Sequence, residues 1–138
     1  MDMTLEQYVS WSEINSLVTI LSELISKSSR SFSTISTLSR GGLVPSRLLA
    51  DHLGIQKIFV DEKIISSDSL FVDDIFDSGA AFEKILSKTN DPSRLFFATL
   101  FARRGKKCPN QLIYAKKTND DAYVVFPWDK LEFQRSQK

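Results

Sequence analysis

The chain contains 138 residues, enough for one domain with a single substantial hydrophobic core. Its composition, 42% hydrophobic and 25% charged residues, is typical of a globular protein. The formal net charge of +1 argues against nucleic acid as a direct partner, and the lack of a long apolar run argues against a membrane-spanning helix.

The chain has one cysteine, Cys108, so neither an internal disulfide nor a multi-cysteine zinc site is available. A catalytic thiol needs a neighbouring base, and the only histidine, His52, lies in a helical pattern. We therefore interpret Cys108 as an incidental loop or strand residue and expect a reduced, cytoplasmic protein.

The first predicted helix begins after Ser10. Ser10 and Glu13 have the spacing of a capping box, in which each side chain accepts a hydrogen bond from the other residue's backbone N–H. Apolar residues then recur at helical spacing, which predicts a helix that ends near Lys27. These residues are Ile14, Leu17, Val18, Leu21 and Ile25.

A predicted strand, turn and helix follow. Residues Phe32–Leu38 are rich in β-branched and aromatic side chains, which is typical of a core strand. The turn Ser39–Gly42 leads into Leu43-Val44-Pro45, where Pro45 suits a first helical turn. The predicted helix continues over Ser46–Leu53, and Gly54 suits its C-terminal end.

The rest of the chain alternates between strand-like and helix-like segments. This alternation predicts an α/β protein with a parallel, twisted sheet that is flanked by helices on both faces. The remaining predicted strands are Ile55–Val60, Leu70–Val72, Leu95–Ala102, Leu112–Ala115 and Tyr123–Phe126.

The segment that starts at Leu70 is the most informative part of the sequence. The apolar strand Leu70–Val72 is followed directly by Asp73 and Asp74, and then by Asp77 after two apolar residues. Such a strand-to-helix turn offers backbone N–H groups to a phosphate, while the carboxylates are suited to sugar hydroxyls or Mg²⁺. The turn itself consists of the small residues Ser78, Gly79, Ala80 and Ala81.

A second turn, Ser39-Arg40-Gly41-Gly42, follows the first core strand. The two glycines allow the backbone to approach a ligand closely, and Arg40 supplies a fixed positive charge suited to phosphate oxygens. Because ligands of parallel α/β sheets bind beyond the carboxyl ends of the strands, we expect the two turns to lie side by side at one site.

These motifs resemble those of type I phosphoribosyltransferases. The Asp73-Asp74 run matches the ribose-phosphate signature of that family, and the SRGG turn matches its pyrophosphate loop. With SRGGLVP at Ser39–Pro45, FAR at Phe101–Arg103 and FPWD at Phe126–Asp129, the resemblance is greatest to the bacterial xanthine-guanine branch. It runs from about Tyr8 to Asp129 and implies a single phosphoribosyltransferase-like domain over residues 1–138.

The resemblance implies a role for each matching residue. Asp77 is the implied general base or acid near purine N7, and Mg²⁺ is the implied cofactor beside Asp73 and Asp74. The residues implied to hold pyrophosphate are Ser39, Arg40, Gly41 and Gly42. The residues implied to hold the phosphoribosyl group are Asp73, Asp74, Ser78, Gly79, Ala80 and Ala81. The residues implied to bind the base are Arg103, Tyr123, Val124 and Asp129.

Three features depart from the family pattern. Only nine residues, Asp61–Ser69, join two predicted strands where the family has a long closing loop. Ala81 replaces a threonine or serine whose hydroxyl contacts the 5′-phosphate. Arg103 stands where the family has a lysine that recognises the base; Lys106 or Lys107 is an alternative donor, and ordinary loop charge is an alternative role for Arg103.

Two functions are therefore open at the level of sequence. In the first, the protein is a slow purine phosphoribosyltransferase that converts phosphoribosyl pyrophosphate and a guanine-, xanthine- or hypoxanthine-like base to a nucleoside monophosphate and pyrophosphate. In the second, it binds nucleotide or phosphoribosyl pyrophosphate as a regulator on the same fold. The resemblance also implies a homodimer.

Overall fold

A computed structural model describes residues 5–137 and contains a five-stranded, fully parallel sheet in the order β3-β2-β4-β5-β6. Among these residues, no helix is both long and apolar enough to cross a bilayer. The strands are β1 (Glu6–Tyr8), β2 (Thr34–Thr37), β3 (Lys57–Val60), β4 (Leu70–Phe76), β5 (Phe96–Ala102), β6 (Leu112–Lys117) and β7 (Tyr123–Val125). The helices are α1 (Trp11–Ser26), α2 (Leu43–Leu53), α3 (Ala80–Leu86) and α4 (Lys130–Ser136), with 3₁₀ turns at Pro92–Arg94 and Pro127–Asp129.

The helices cover both faces of the sheet, as the alternating pattern predicts. Successive residues of β4 point to opposite faces, so Val72 packs with α1 and α2 while Phe71 packs with Phe82 and Ile85 of α3. Each face has its own hydrophobic cluster, and the predicted α/β class and single-domain architecture are confirmed.

Strands β1 and β7 form a separate parallel ribbon, in which Gln7 pairs with Val124. Backbone bonds extend the pairing at both ends, because the Tyr123 N–H donates to the Leu5 carbonyl at 2.8 Å and the Val9 N–H donates to the Val125 carbonyl at 3.0 Å. The ribbon therefore joins the first and last described strands next to the main sheet.

The capping box predicted for α1 is only half formed. The Ser10 Oγ accepts a hydrogen bond from the Glu13 N–H at 3.1 Å, as expected. The Glu13 carboxylate instead accepts one from Lys116 Nζ at 3.2 Å. A cation on neighbouring β6 thus attracts the glutamate away from the helix end.

Strand β4 is longer than its sequence predicts. It continues through both acids to Phe76, because its pairing with β5 extends to Phe76 opposite Ala102. Asp73 and Asp74 therefore belong to the end of the central strand and not to the following loop, which fixes their backbone rigidly in the sheet.

The nine-residue connection Asp61–Ser69 lies against the body of the protein. Ile65 is buried, and its N–H donates to the Lys88 carbonyl at 3.0 Å. Ile65 also forms a parallel bridge with Thr89. The connection is thus a short packed link, which agrees with the prediction that it cannot form a long closing loop.

Candidate active site

The two predicted phosphate-binding turns meet at the carboxyl ends of β2 and β4. These strands are neighbours, with Thr37 opposite Val72. A Cβ atom added to Gly41 would lie 2.8 Å from Asp74 Oδ2, and one added to Gly42 would lie 1.9 Å from Thr37 Oγ1. Both positions therefore need glycine, because the Ser39–Gly42 loop passes directly over the end of the sheet.

The first residue of that loop is anchored by the connection that follows β3. The Ser39 N–H and Oγ donate to the two carboxylate oxygens of Asp61, at 2.9 and 2.5 Å. These two bonds lower the pKa of the Asp61 carboxyl, so they favour its charged form. The Ser39 side chain is thus occupied within the protein, and the loop is held at its start.

Arg40, the cation of the loop, is largely exposed at the surface of the cleft. Its Nη2 donates to Glu132 Oε2 of α4 at 2.8 Å. The guanidinium retains four further N–H donors, none of which has a partner among the described residues. Arg40 can therefore donate hydrogen bonds to an incoming anion, although its ion pair with Glu132 already neutralises part of the positive charge.

The two acids of β4 form a half-buried carboxylate pair. Burial, repulsion from Asp73 and a hydrogen bond with it raise the pKa of Asp74 to about 8. Burial also raises the pKa of Asp73, against the effect of hydrogen bonds with Asp74. The pair is therefore unfavourable when both carboxylates are charged. A bound cation or a hydroxyl donor from a sugar would stabilise the charged pair.

The turn after β4 contains Asp77 and the small residues that follow it. Gly79 has φ +92°, a left-handed conformation that favours glycine, and it directly precedes α3. The Ala80 N–H donates to Ser78 Oγ at 3.2 Å, so the one hydroxyl of the turn is directed at its own backbone. Ala81, the second residue of α3, provides no hydroxyl.

Arg103 is tied to Asp77 and to the chain before β7. Its Nε donates to Asp77 Oδ1 at 2.9 Å, and its Nη1 donates to the Ala122 carbonyl at 2.6 Å. Only 16% of the Arg103 side chain is exposed. The structure thus brings Arg103 to the predicted acid–base group, in a position where much of its donor capacity is used inside the protein.

The other predicted base-binding residues separate into two groups. Tyr123 and Asp129 line a cleft of about 330 Å³ together with Arg40 and Gly41, and Val125, which was not predicted, also lines it. Val124 is buried in the core cluster because alternate residues of a strand face opposite sides. A contact between Val124 and a base would therefore have to come from its main chain.

Sequence reasoning missed the helix α4, which forms one wall of this cleft. Glu132 contacts Arg40, and the Phe133 ring stacks on Tyr123 with centroids 5.6 Å apart. Helix α4 spans only seven residues, too few for a helical pattern to be recognised from spacing alone. Asp129, just before α4, has its pKa raised by burial and by the charges of Asp74 and Glu132.

Asp73 and Asp74 fit a magnesium ion that is shared with a substrate. Mg²⁺ commonly binds one or two carboxylates and takes its remaining oxygens from phosphates and water. Among the described residues, no group of three or more acidic, histidine or cysteine side chains forms a self-sufficient metal cage. The pKa values of both carboxyls are raised, and the pair supplies only part of the ligands that Mg²⁺ needs. The ion would therefore bind together with the phosphate groups of its substrate.

The chain is similar to known purine phosphoribosyltransferases. It is 25% identical to the xanthine-guanine phosphoribosyltransferase of Gluconobacter oxydans over 88% of this chain and 83% of that enzyme. It resembles type I phosphoribosyltransferases in sequence and in fold. No family model matches the sequence.

Two solved structures share the fold over nearly their whole length. One is the Helicobacter pylori xanthine-guanine-hypoxanthine phosphoribosyltransferase, with a TM-score of 0.74, 18% identity, and coverage of 95% of this chain and 99% of that one. The other is a hypothetical protein from Neisseria gonorrhoeae with bound ppGpp, with a TM-score of 0.73, 17% identity, and coverage of 99% and 96%. These similarities confirm the type I phosphoribosyltransferase-like sheet that the motifs imply.

Proposed function

We propose that the protein is a purine phosphoribosyltransferase that acts in purine salvage. It transfers the phosphoribosyl group of phosphoribosyl pyrophosphate to guanine, xanthine or hypoxanthine, and releases pyrophosphate. The observation that carries this proposal is the close contact of Gly41 with Asp74, since it joins an arginine-containing phosphate loop to a carboxylate pair. The Gluconobacter relative supports the choice of a purine base.

The pyrophosphate end of the substrate would bind at Arg40 and the glycines of its loop. As the bond from the anomeric carbon to the pyrophosphate oxygen breaks, negative charge grows on the leaving group. Arg40 and the backbone N–H groups of Gly41 and Gly42 would stabilise that charge. When bound, Mg²⁺ at Asp73 and Asp74 supplies further charge neutralisation of pyrophosphate.

The phosphoribosyl end would be positioned by β4 and the turn after it. Asp73 and Asp74 are fixed at the end of the central strand, so they can orient the ribose hydroxyls with little loss of entropy on binding. The N–H groups of the turn Ser78–Ala81 would receive the 5′-phosphate. Because Ala81 has no hydroxyl, this phosphate would have one hydrogen bond fewer than in the family pattern.

The base would enter the cleft between the ribbon and the pyrophosphate loop. Tyr123 offers a ring for stacking, and Asp129 offers a carboxylate to a ring N–H. Asp77 would exchange a proton with purine N7 as the new bond to the anomeric carbon forms. Arg103 would act on the base through Asp77, because its Nε holds that carboxylate at 2.9 Å.

The proposed enzyme is a cytoplasmic homodimer, in line with the family resemblance. Apolar side chains that remain on the surface provide area for subunit contact. Among them, Ile64 next to the edge strand β3 is 70% exposed, and Leu5 at the start of the ribbon is 64% exposed. Nucleic acid and membranes are not expected partners.

Transferase activity is tested with the pure protein, phosphoribosyl pyrophosphate, Mg²⁺ and each of guanine, xanthine, hypoxanthine and adenine. We expect nucleoside monophosphate to form, with release of pyrophosphate, with at least one 6-oxopurine. The Asp73→Asn/Asp74→Asn double variant is the control, and its activity should fall to background. If no base yields nucleotide, the transferase proposal is wrong.

A second function, nucleotide-binding regulation, is favoured by the short connection Asp61–Ser69. Without a closing loop, the site can hold a ligand but shields it poorly from water. The Neisseria protein, which shares the fold and has bound ppGpp, supports nucleotide binding on this fold. Micromolar binding of a guanine nucleotide without any turnover would favour this function over the first.

A further inference from the structure

Helix α4 places an acid of the protein's own chain on the cation of the pyrophosphate loop. Arg40 and Glu132 are 92 residues apart in sequence, and their side chains meet at 2.8 Å. The helix is also fixed by Phe133, which stacks on Tyr123 and meets Tyr8 edge-on with centroids 6.2 Å apart. Glu132 is therefore directed at Arg40 by a helix that is anchored to the ribbon.

The charges around this ion pair make Glu132 a competitor of anionic ligands. Asp129 and Glu132 both line the cleft with Arg40, and the charges of Asp74 and Glu132 both raise the pKa of Asp129. Arg40 is the cation that lines this cleft. A pyrophosphate group that approaches Arg40 must therefore displace the Glu132 carboxylate or share the guanidinium with it.

We propose that Glu132 determines the ligand preference of the site by competing with pyrophosphate for Arg40. This inference rests on the proposed function, in which Arg40 holds the pyrophosphate end of the substrate. Glu132 weakens the binding of ligands that carry a pyrophosphate group, namely phosphoribosyl pyrophosphate and free pyrophosphate. It has little effect on a nucleoside monophosphate, whose only phosphate binds at the turn Ser78–Ala81.

The competition has a limited size because both partners are exposed. Exposed ion pairs typically contribute 0.2–1 kcal/mol, which corresponds to roughly a 1.4- to fivefold change in an equilibrium constant. The screening length for exposed charges is about 8 Å at physiological ionic strength, and it shortens as salt is added. The effect of Glu132 should therefore decrease as the salt concentration is raised.

The test compares the binding of pyrophosphate, phosphoribosyl pyrophosphate and guanosine monophosphate to the full chain by calorimetry with Mg²⁺ present. In Glu132→Gln, we expect the first two ligands to bind roughly two- to fivefold more tightly, and guanosine monophosphate to change less than twofold. Asp51→Asn is the matched control, because Asp51 forms an exposed ion pair with Arg47 on the surface of α2. This control should change none of the three affinities.

A double-mutant cycle assigns the effect to Arg40. In the Arg40→Gln background, Glu132→Gln should no longer tighten pyrophosphate binding, because the shared cation has been removed. Equal pyrophosphate affinity in Glu132→Gln and the unmodified protein would overturn the inference, as would an equal gain for guanosine monophosphate. If the unmodified protein binds guanosine monophosphate but neither it nor Glu132→Gln binds pyrophosphate, the role of Arg40 in the proposed function is wrong, and the inference is wrong with it.

Discussion

At the scale of single residues, the site combines one exposed cation with carboxylates whose charges are unfavourable together. Arg40 shares the cleft with Asp129 and Glu132, and Asp74 lies close enough to raise the pKa of Asp129. Burial and mutual repulsion raise the pKa of Asp74 to about 8, so the unliganded site holds a proton that a metal-bound substrate would release. Ligand binding and protonation should therefore be linked at this position.

The raised pKa of Asp74 predicts how stability depends on pH. Between about pH 4 and pH 8 the folded protein keeps a proton that the unfolded chain has lost, so the free energy of unfolding should fall as pH rises through this window. Asp74→Asn removes this decrease in the free energy of unfolding. The variant should therefore stabilise the protein at pH 8 by about 1 kcal/mol or more, with little effect near pH 4. Urea denaturation at both pH values measures the difference.

An exposed acid provides the control for that experiment. Asp121→Asn also removes one carboxylate but lies on the surface before β7, so its effect should be small at both pH values. A stabilisation by Asp74→Asn that is the same at pH 4 and pH 8 would contradict the assignment of the raised pKa to Asp74.

Asp77 provides the prediction for catalysis. Asp77→Asn keeps the size of the side chain but removes the group that exchanges a proton with the base, so the transferase rate should fall about 10²–10⁴-fold. Nucleotide affinity should change much less, because it depends mainly on the phosphate contacts. Steady-state kinetics and equilibrium binding of guanosine monophosphate separate the two effects. Equal losses in rate and affinity would make Asp77 a binding residue only.

At the scale of elements, the pyrophosphate loop is built on two glycines with different surroundings. A Cβ at Gly42 would lie 1.9 Å from Thr37 Oγ1 and 2.7 Å from the Val72 carbonyl, both part of adjacent core strands. The three atoms nearest to a Cβ at Gly41 all belong to the Asp74 carboxylate, a side chain that can move. Gly41 is thus needed mainly for the geometry of the site, and Gly42 mainly for the stability of the fold.

This difference predicts separate effects for two otherwise similar variants. Gly42→Ala should destabilise the protein by about 1–3 kcal/mol or more, because the new methyl group overlaps the sheet. Gly41→Ala should cost less stability and should weaken binding of phosphoribosyl pyrophosphate, because it displaces Asp74. Thermal denaturation and calorimetry distinguish them. A more stable Gly42→Ala than Gly41→Ala would contradict this reading of the loop.

The elements also indicate which features can be predicted from sequence. The strand Phe32–Leu38 and the helix after it are recognisable because periodicity, Pro45 and Gly54 all agree, and the structure places them at Thr34–Thr37 and Leu43–Leu53. The meeting of the two turns follows from the rule on parallel strands. These features depend on local pattern or on topology, both of which the sequence specifies.

Other features depend on long-range contacts that no local pattern reveals. Strand β4 extends through two acids because β5 pairs with it, although aspartate is disfavoured in strands. The Arg103–Asp77 pair and the α4 contacts join segments far apart in sequence. Arg103 was predicted to contact the base, a role that remains a prediction, but its fixed position beside Asp77 emerges only from the folded chain.

At the scale of the whole molecule, the sheet has two edges, β3 and β6, and exposed apolar residues beside one of them. Val60 at the end of β3 is 42% exposed, and Ile64 follows it at 70%. Exposed strand edges with apolar neighbours favour association. We expect a dimer mass by light scattering at micromolar concentration, and a monomer mass under these conditions would refute the proposed homodimer.

The absence of a long closing loop sets the final prediction, which concerns the efficiency of the whole molecule as an enzyme. The connection Asp61–Ser69 is packed against the body through buried Ile65, so it cannot extend over the cleft without breaking that packing. Helix α4 instead lines the cleft beside Arg40, where the pyrophosphate is proposed to bind. Water should therefore reach the anomeric carbon during transfer.

Transfer should accordingly be slow and accompanied by hydrolysis of phosphoribosyl pyrophosphate, because the positively charged sugar that develops in the transition state is poorly shielded from water. The measurement compares pyrophosphate release with nucleotide formation in the same reaction, and release should exceed formation. Omitting the base should leave a residual, Mg²⁺-dependent release that the Asp73→Asn/Asp74→Asn variant lacks. Strict equality of the two products would show that the site closes during turnover, and α4 or a second subunit would then be the element that closes it.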